Sequence, residues 1–196
     1  MVRAVLGGAF DPVHLGHVAM GAAVLDRGLA RTLLVVPAGR SPHKDDCLAP
    51  ANDRLAMCRA AFAHLPDLRI DERELRRPGP SFTVDTLREL QNENPADELV
   101  LVLGADNLDG FPNWRDPDAV LGLASLAILA RNGVVPDNEA LDRAGIPADR
   151  AVLVTDFDHR VSSTEVRGML DSGHLPASLL PAEVAAYIRS RHLYGM

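Results

Sequence analysis

Short apolar stretches alternate with helical patterns along most of the 196-residue chain. Leu99–Leu103 consists of leucine and valine alone, and Thr32–Pro37 is apolar and rich in β-branched residues. Strands of this kind are buried on both faces, which is typical of parallel sheets. Strand–helix alternation in one chain predicts a parallel sheet with right-handed crossovers. We therefore predict an α/β fold, a Rossmann-like doubly wound sheet with helices on both faces.

The apolar runs and the helical periodicity also set the expected element boundaries. The predicted strands are Val2–Gly7, Thr32–Pro37, Leu68–Asp71, Leu99–Leu103, Leu126–Ala130 and Ala151–Val154. The predicted helices are Gly16–Arg27, a helix capped by Asn52 or Asp53 and running to His64, Thr83–Asn92, Asp116–Leu121, Asn138–Ala144, Ser163–Asp171 and Pro181–Arg191. We predict a single domain over residues 1–196, whose helical part from about residue 163 completes the site.

Composition and charge argue against several classes of protein. The formal net charge is −7, from 27 acidic and 20 basic side chains, which argues against binding to nucleic acid or to an anionic membrane. Cys47 and Cys58 are the only cysteines, so neither a disulfide framework nor a zinc site can be built from them. No apolar run is long enough to span a membrane, and the chain enters its first strand without a leader. These features predict a cytoplasmic location.

The first predicted strand ends in the motif G-G-A-F-D-P-V-H-L-G-H, which carries two histidines three residues apart. A strand that ends in glycines and turns into a helix presents backbone N–H groups to phosphate. Neither the dinucleotide fingerprint nor the P-loop is present. The alternatives are a turn with a capping aspartate and two solvent histidines, or a metal pair, which lacks a third ligand nearby. The rigid spacing favours phosphate binding by side-chain donors as well as backbone.

This motif resembles that of nucleotidyltransferases that move AMP from ATP onto a phosphate, distant relatives of the class I aminoacyl-tRNA synthetases. The resemblance implies that both histidines bind the triphosphate. In that family the glycine pair is usually followed by Thr or Ser, so Ala9 removes a hydroxyl contact and leaves more of the binding to backbone groups. The ATP-binding residues implied by this motif are Gly7, Gly8, Ala9, Phe10, Asp11, His14, Gly16 and His17.

The loop after the second strand reads V-P-x-x-x-x-P-H-K and is similar to that of nicotinate-mononucleotide adenylyltransferases, with Ser41 where a second proline is common. The resemblance implies that Lys44 reaches the polyphosphate, where an ammonium offsets charge on the leaving pyrophosphate. The alternative is an ordinary solvated lysine in the loop Ala38–Pro50.

The segment G-P-S-F-T-V-D-T-L follows the third strand and resembles the part of the same enzymes that holds the pyridine ring and its carboxylate. The residues implied are Ser81, Phe82, Thr83 and Thr86. In the alternative reading, Ser81 or Thr83 caps a helix, which is compatible with carboxylate binding at the helix N-terminus. The charged run just before this segment, residues 71–77, is expected to be a solvated face.

The fourth strand ends at Gly104 and is followed by Asp106 and by Trp114, the single tryptophan. The family pattern places the aspartate near the adenosine ribose and stacks the tryptophan on the nicotinate ring, whereas core filling is the alternative for Trp114. Arg131 follows the fifth strand, where relatives commonly read Arg-Pro-Gly and this chain lacks the proline. The resemblance implies that Gly104, Asp106 and Arg131 bind ATP.

The sixth strand leads to V-S-S-T-E-V-R, which matches the end of the family's site. The resemblance implies that Ser162, Ser163, Thr164 and Arg167 contact ATP, mainly at the β- and γ-phosphates, since arginine can grip phosphate with two parallel bonds. The same letters also form a capping box, in which Ser162 pairs with Glu165.

The resemblance as a whole implies transfer of AMP from ATP to nicotinate mononucleotide, with His14, His17, Lys44 and Arg167 as the catalytic groups. Mg²⁺ is expected on the substrate phosphates, without a protein metal site. Nicotinamide mononucleotide and phosphopantetheine stay open as other acceptors, and a noncatalytic ATP sensor is a rival of another class. An RNA-modifying relative of the synthetases is disfavoured by the acidic surface. The sequence leaves the oligomeric state open and is compatible with a homo-oligomer.

Overall fold

The computed structural model describes residues 1–40 and 47–196. Within these residues, six strands form one all-parallel sheet in the order β3-β2-β1-β4-β5-β6. The strands are β1 (Val2–Gly8), β2 (Thr32–Pro37), β3 (Leu68–Ile70), β4 (Glu98–Gly104), β5 (Ala124–Leu129) and β6 (Ala151–Val154). The strand order reverses between β1 and β4, and in open α/β sheets ligands bind beyond the carboxyl ends of the strands at such a switch point.

Helices follow most of the strands and pack on the two faces of the sheet. They are α1 (Leu15–Asp26), α2 (Ala51–Phe62), α3 (Arg73–Arg76), α4 (Thr83–Glu93), α5 (Pro117–Leu123), α6 (Asn138–Arg143), α7 (Ser163–Asp171) and α8 (Ala182–Ser190). Short 3₁₀ turns lie at Ala105–Asn107, Phe111–Asn113, Ala148–Arg150 and Leu193–Gly195. Among the described residues, none of the helices combines the length and the apolar character needed to cross a bilayer.

Two apolar cores, one on each face, hold the layers together. Successive strand residues point to opposite faces, so in β1 Ala4 and Leu6 enter one core while Val5 enters the other. The first core is covered by α1, α2, α7 and α8, and the second by α4, α5 and α6. The helices that carry the first and last motifs of the predicted site, α1 and α7, therefore share a core.

The structure confirms the α/β fold class and the doubly wound sheet, but three local predictions are wrong. The N-cap position of α2 is Pro50, not Asn52 or Asp53; proline suits a helix start because its ring fixes φ and it has no N–H to leave unpaired. The N-cap position of α4 is Phe82, whose side chain makes no capping bond, so neither Ser81 nor Thr83 is the cap.

The third error concerns the charged run expected to be a solvated face. Residues 73–76 form the short helix α3, and the Glu74 side chain is buried in it with 7% of its surface exposed. Charge pattern alone does not reveal this, because Glu74 has hydrogen-bond partners in Ser81, before α4, and in Thr86, within α4.

Candidate active site

The site lies beyond the carboxyl ends of β1 and β4, which end at Gly8 and Gly104. After β1 the chain forms a tight loop, here called the phosphate loop (residues 9–13), before α1 begins. Phe10 in this loop has a φ of 49°, a left-handed conformation that is uncommon outside glycine. Its ring is buried against the rings of Phe62 and His17, which holds the backbone in that conformation.

His14 and His17 form a buried pair at the start of α1. His14 is the N-cap residue, and its backbone N–H donates to Nδ1 of His17 over 3.2 Å. The two rings stack with their centroids 3.7 Å apart, and the residues are 0% and 8% exposed. The alternative of two solvent histidines is therefore wrong. Because Nδ1 of His17 accepts a hydrogen bond, we assign the proton of the neutral ring to Nε2, which makes that nitrogen a donor.

At two positions of the site, neighbouring side chains lie so close to the backbone that only glycine fits. A Cβ atom at Gly16 would lie 2.8 Å from Cγ1 of Val161 and 3.1 Å from the His14 ring. A Cβ atom at Gly104 would lie 2.4 Å from Oδ1 of Asp106 and 2.6 Å from Cδ of Arg131. These glycines therefore make room for the side chains predicted to meet the nucleotide.

Three carbonyl groups of the phosphate loop accept hydrogen bonds from distant side chains. Nη1 of Arg54 donates to the Ala9 carbonyl over 2.7 Å, and Nη1 of Arg167 donates to the Asp11 carbonyl over 2.6 Å. Oγ of Ser163 donates to the Pro12 carbonyl over 2.9 Å. The negative ends of these peptide dipoles thus face protein donors, which lowers their repulsion of an incoming anion.

The Arg54 guanidinium is buried and joins β1 to β2 at the site. Besides Ala9, it donates to the carbonyls of Ala38, over 2.7 Å, and Gly39, over 3.2 Å. The sequence analysis missed this residue, because an arginine in the first turn of a helix is indistinguishable in sequence from one on the surface.

The carboxylate of Asp106 is held at the end of β4 by two amides. Nδ2 of Asn107 donates to Oδ1, and Nδ2 of Asn132 donates to Oδ2, each over 3.0 Å, while Nε of Arg131 lies 3.9 Å from Oδ2. Asn132 has a φ of 53°, which a proline ring cannot adopt. The missing proline is therefore replaced by a turn that supplies a side-chain donor to Asp106.

The segment predicted to hold the mononucleotide lies beside the buried Glu74. Ser81 Oγ accepts a hydrogen bond from the Gly39 N–H over 2.9 Å, and the Thr86 hydroxyl donates to Oε1 of Glu74 over 2.5 Å. Burial raises the pKa of Glu74 above its ordinary value, although its bonds with Thr86 and Ser81 act in the other direction. The hydroxyls of Ser81 and Thr86 are thus both hydrogen-bonded to protein partners.

The remaining residues predicted to meet the mononucleotide have more open positions. The Phe82 ring lies under the guanidinium of Arg115, with 4.6 Å from Cζ to the ring centroid, and Thr83 is the first residue of α4. Trp114 is half-buried, with its ring 5.3 Å from that of Phe111. The aromatic surface needed for ring stacking is therefore present beside the start of α4.

A match to a family model gives the family of the chain. The model described as cytidylyltransferase-like matches residues 5–169. The chain belongs to the cytidylyltransferase-like family. Two curated relatives, from Albidiferax ferrireducens and Aeromonas hydrophila, are named probable nicotinate-nucleotide adenylyltransferase. The first is 39% identical and the alignment covers 97% of this chain and 96% of the relative; for the second the values are 36%, 97% and 95%. The resemblance seen in the motifs is thus confirmed.

Solved structures support the same fold for this cytidylyltransferase-like chain. The Plasmodium falciparum nicotinic acid mononucleotide adenylyltransferase complexed with NaAD superposes with a TM-score of 0.80 at 17% identity, over 99% of this chain and 97% of that one. A putative nicotinate-nucleotide adenylyltransferase from Vibrio parahaemolyticus has a TM-score of 0.71 at 16% identity, over 98% of this chain and 94% of that one.

In this member of the family the structure brings together predicted residues that are far apart in sequence. Ser163 and Arg167 of α7 contact the phosphate loop directly, and Oγ1 of Thr164 accepts from Nη2 of Arg167 over 3.2 Å. Ser162 caps α7, as the sequence predicted, by accepting from the Glu165 N–H over 3.1 Å. Lys44 lies outside the described residues. Ligand contacts by all of these residues stay predictions.

Proposed function

We propose that the chain transfers AMP from ATP to nicotinate mononucleotide, giving nicotinate adenine dinucleotide and pyrophosphate, as a step of NAD biosynthesis. The observation that carries this proposal is the 39% identity to a relative named for that activity, over 97% of this chain. The site adds chemical support, because Ser163 and Arg167 of α7 donate to carbonyls of the loop between β1 and α1 at the switch point of the sheet.

The transfer needs no nucleophilic side chain, because the mononucleotide supplies the nucleophile. A phosphate oxygen of the mononucleotide forms a bond to the α-phosphorus of ATP, and the bond from that phosphorus to the β-bridging oxygen breaks. Catalysis then consists mainly of positioning and charge stabilisation. In this proposal, Nε2 of His17 donates to phosphate oxygens together with His14, and Lys44 and Arg167 stabilise the leaving pyrophosphate.

We propose that Mg²⁺ arrives as part of the nucleotide substrate. The described residues include no group of three or more His, Cys, Asp or Glu side chains that could hold a metal ion. Mg²⁺ is commonly bound by substrate phosphates with few protein ligands. The ion would neutralise charge on the triphosphate, and donors of the phosphate loop and α7 would orient the triphosphate.

The pyridine ring of the mononucleotide is proposed to bind between Trp114 and the start of α4. A helix N-terminus favours a carboxylate, and α4 carries no side-chain cap that would occupy its first N–H groups. This arrangement suits an acid ring better than its amide, because the amide has no negative charge to place there.

Pyrophosphate release measured with ATP and a panel of acceptors tests the proposal. We expect release with nicotinate mononucleotide, and a lower kcat/KM with nicotinamide mononucleotide and phosphopantetheine. A higher kcat/KM with either of these would contradict the assigned acceptor. Binding of ATP with no release of pyrophosphate in the presence of any of the acceptors would instead identify a nucleotide sensor. The cytoplasmic location, the absence of nucleic-acid and membrane partners, and a homo-oligomer stay predictions.

A further inference from the structure

The C-terminal turn, residues 192–196, packs beside α7 in an unusual backbone conformation. His192 and Tyr194 have φ values of 51° and 58°, both in the left-handed region. Non-glycine residues adopt this region infrequently, and they persist there where surrounding contacts hold them. Leu193, Tyr194 and Met196 pack against the core that α7 and α8 cover, so the turn is fixed to the same face of the sheet as the phosphate loop.

The Tyr194 hydroxyl donates to Oδ1 of Asp11 over 2.7 Å, although the two residues are 183 positions apart. Burial and the neighbouring Asp11 carboxylate raise the pKa of Tyr194, so the phenol stays protonated and keeps its donor at neutral pH. Asp11 is itself only 4% exposed and lies in the middle of the phosphate loop. The end of the described chain thus contacts the segment predicted to hold the triphosphate.

Asp11 also receives two backbone donors from the other side. The Leu48 N–H donates to Oδ2 over 2.8 Å, and the Ala49 N–H donates to Oδ1 over 3.0 Å. Residues 48 and 49 belong to the loop between β2 and α2 in which Lys44 occurs. One buried carboxylate therefore joins the phosphate loop to residues 48–49, and Tyr194 is its third donor among residues 1–40 and 47–196.

We propose that Tyr194 is a positioning residue for the transfer reaction. By fixing Asp11, it holds the phosphate loop and residues 48–49 in the relative arrangement on which binding of the triphosphate depends. This inference rests on the proposed function, and Tyr194 acts through Asp11 without touching the substrate. The preorganised geometry of donors matters more for the transition state than for ground-state binding, so the loss is expected mainly in kcat.

The chain offers a matched control in Tyr187. Its hydroxyl donates over 2.8 Å to Oδ1 of Asp53, a buried aspartate of α2 that lies outside the phosphate loop. Asp53 also accepts from Nε of Arg191 over 3.2 Å. Tyr187→Phe therefore removes a tyrosine–aspartate bond of the same kind and from the same part of the chain, but not one that reaches Asp11.

The test compares Tyr194→Phe with Tyr187→Phe in the full chain, with kcat, both KM values and Tm measured for each. Both variants are expected to lower Tm to a similar extent. Tyr194→Phe is expected to lower kcat about tenfold, the effect of losing one hydrogen bond to a charged group. Tyr187→Phe is expected to keep kcat within about twofold, because its bond to Asp53 does not include a residue of the phosphate loop. Equal kcat in the two variants would overturn the proposal.

A double-mutant cycle tests the route through Asp11. If Tyr194 acts through that carboxylate, adding Tyr194→Phe to Asp11→Asn lowers kcat much less than adding it to the wild type. Fully additive losses would overturn the proposal. Asp11→Asn also weakens the hydrogen bond between Tyr194 and Asp11, because it removes the charge of the acceptor. This single variant therefore tests the inference if Tyr194→Phe folds poorly.

Amide hydrogen exchange separates this inference from the proposed function. In Tyr194→Phe, but not in Tyr187→Phe, the Leu48 and Ala49 amides are expected to exchange faster, because their acceptor has lost its third donor. Unchanged exchange would overturn the inference. Exchange requires no turnover, so absence of pyrophosphate release by the wild type would remove the proposed function while leaving the Tyr194–Asp11 coupling measurable.

Discussion

His17 combines two tasks in one imidazole ring. Nδ1 accepts the His14 N–H at the start of α1, and this bond fixes both the orientation of the ring and the position of its proton. In the proposed reaction, Nε2 is the donor to phosphate, and the fixed ring needs no reorientation during the transfer. The motif predicts the histidine, but only the cap geometry in the structure identifies which nitrogen donates.

Replacing His17 separates the two tasks. His17→Ala removes both, so we expect kcat to fall roughly 10²–10³-fold and the free energy of unfolding to fall by about 1 kcal/mol from the lost cap. His17→Asn keeps a side-chain acceptor for the His14 N–H, so its stability should be close to that of the wild type while kcat stays low. Steady-state kinetics and urea unfolding of both variants check this, and near wild-type turnover in His17→Asn would contradict the donor role.

At the scale of elements, the start of α1 packs closely against the segment that leads into α7. Gly16 is the second residue of α1, and the space above its Cα atom is filled by Val161, which leads into α7, and by the His14 ring. The glycine costs some helix stability but permits this approach.

A pair of glycine replacements tests that account. Gly16→Ala is expected to push the His14 ring or Val161 aside and so to lower kcat together with Tm. Gly168→Ala is the control, because Gly168 lies within α7 and its added Cβ would meet nothing within 4 Å. That substitution should raise the free energy of unfolding by roughly 0.5–1 kcal/mol with little change in kcat. The account fails if Gly16→Ala leaves both kcat and Tm unchanged.

At the scale of the whole molecule, the buried Glu74 links global stability to pH. Its pKa is raised above the ordinary 4.5 by burial, so above pH 4.5 the folded protein binds more protons than the unfolded chain. The contribution of Glu74 to the free energy of unfolding is therefore complete below pH 4.5 and decreases as pH rises through the folded pKa. Burial alone would raise the pKa of Asp71, but hydrogen bonds from Arg73 lower it below the ordinary 3.8. The contribution of Asp71 to the free energy of unfolding is therefore present above pH 3.8 and is lost as pH falls through the folded pKa.

Glu74→Gln should remove the part of the fall in the free energy of unfolding with rising pH that comes from Glu74. The glutamine still offers an acceptor to the Thr86 hydroxyl. We expect urea unfolding between pH 4.5 and 8 to show a smaller fall in the free energy of unfolding for this variant than for the wild type. Parallel pH profiles for the two proteins would show that Glu74 does not titrate with a raised pKa.

The sequence predicts the sheet well because buried parallel strands are short apolar runs between helices, as in Leu99–Leu103. It predicts the phosphate loop and α7 because their chemistry is local, a few residues at fixed spacing. It does not predict Arg54, Glu74 or Tyr194, since the partners of these residues come from other elements and nothing in their neighbouring sequence distinguishes them from surface side chains. Long-range partners become visible only when the fold brings α2, α4 and the C-terminal turn to the site.

The donors of the phosphate loop arrive late in synthesis. The Pro12 carbonyl accepts from Ser163, 151 positions later in the chain. The carbonyl and the carboxylate of Asp11 accept from Arg167 and Tyr194, which are 156 and 183 positions later. A nascent chain on the ribosome can pair its central strands long before it has these donors. The phosphate loop therefore reaches its final hydrogen-bonded arrangement only after residues 163–194 have been synthesised.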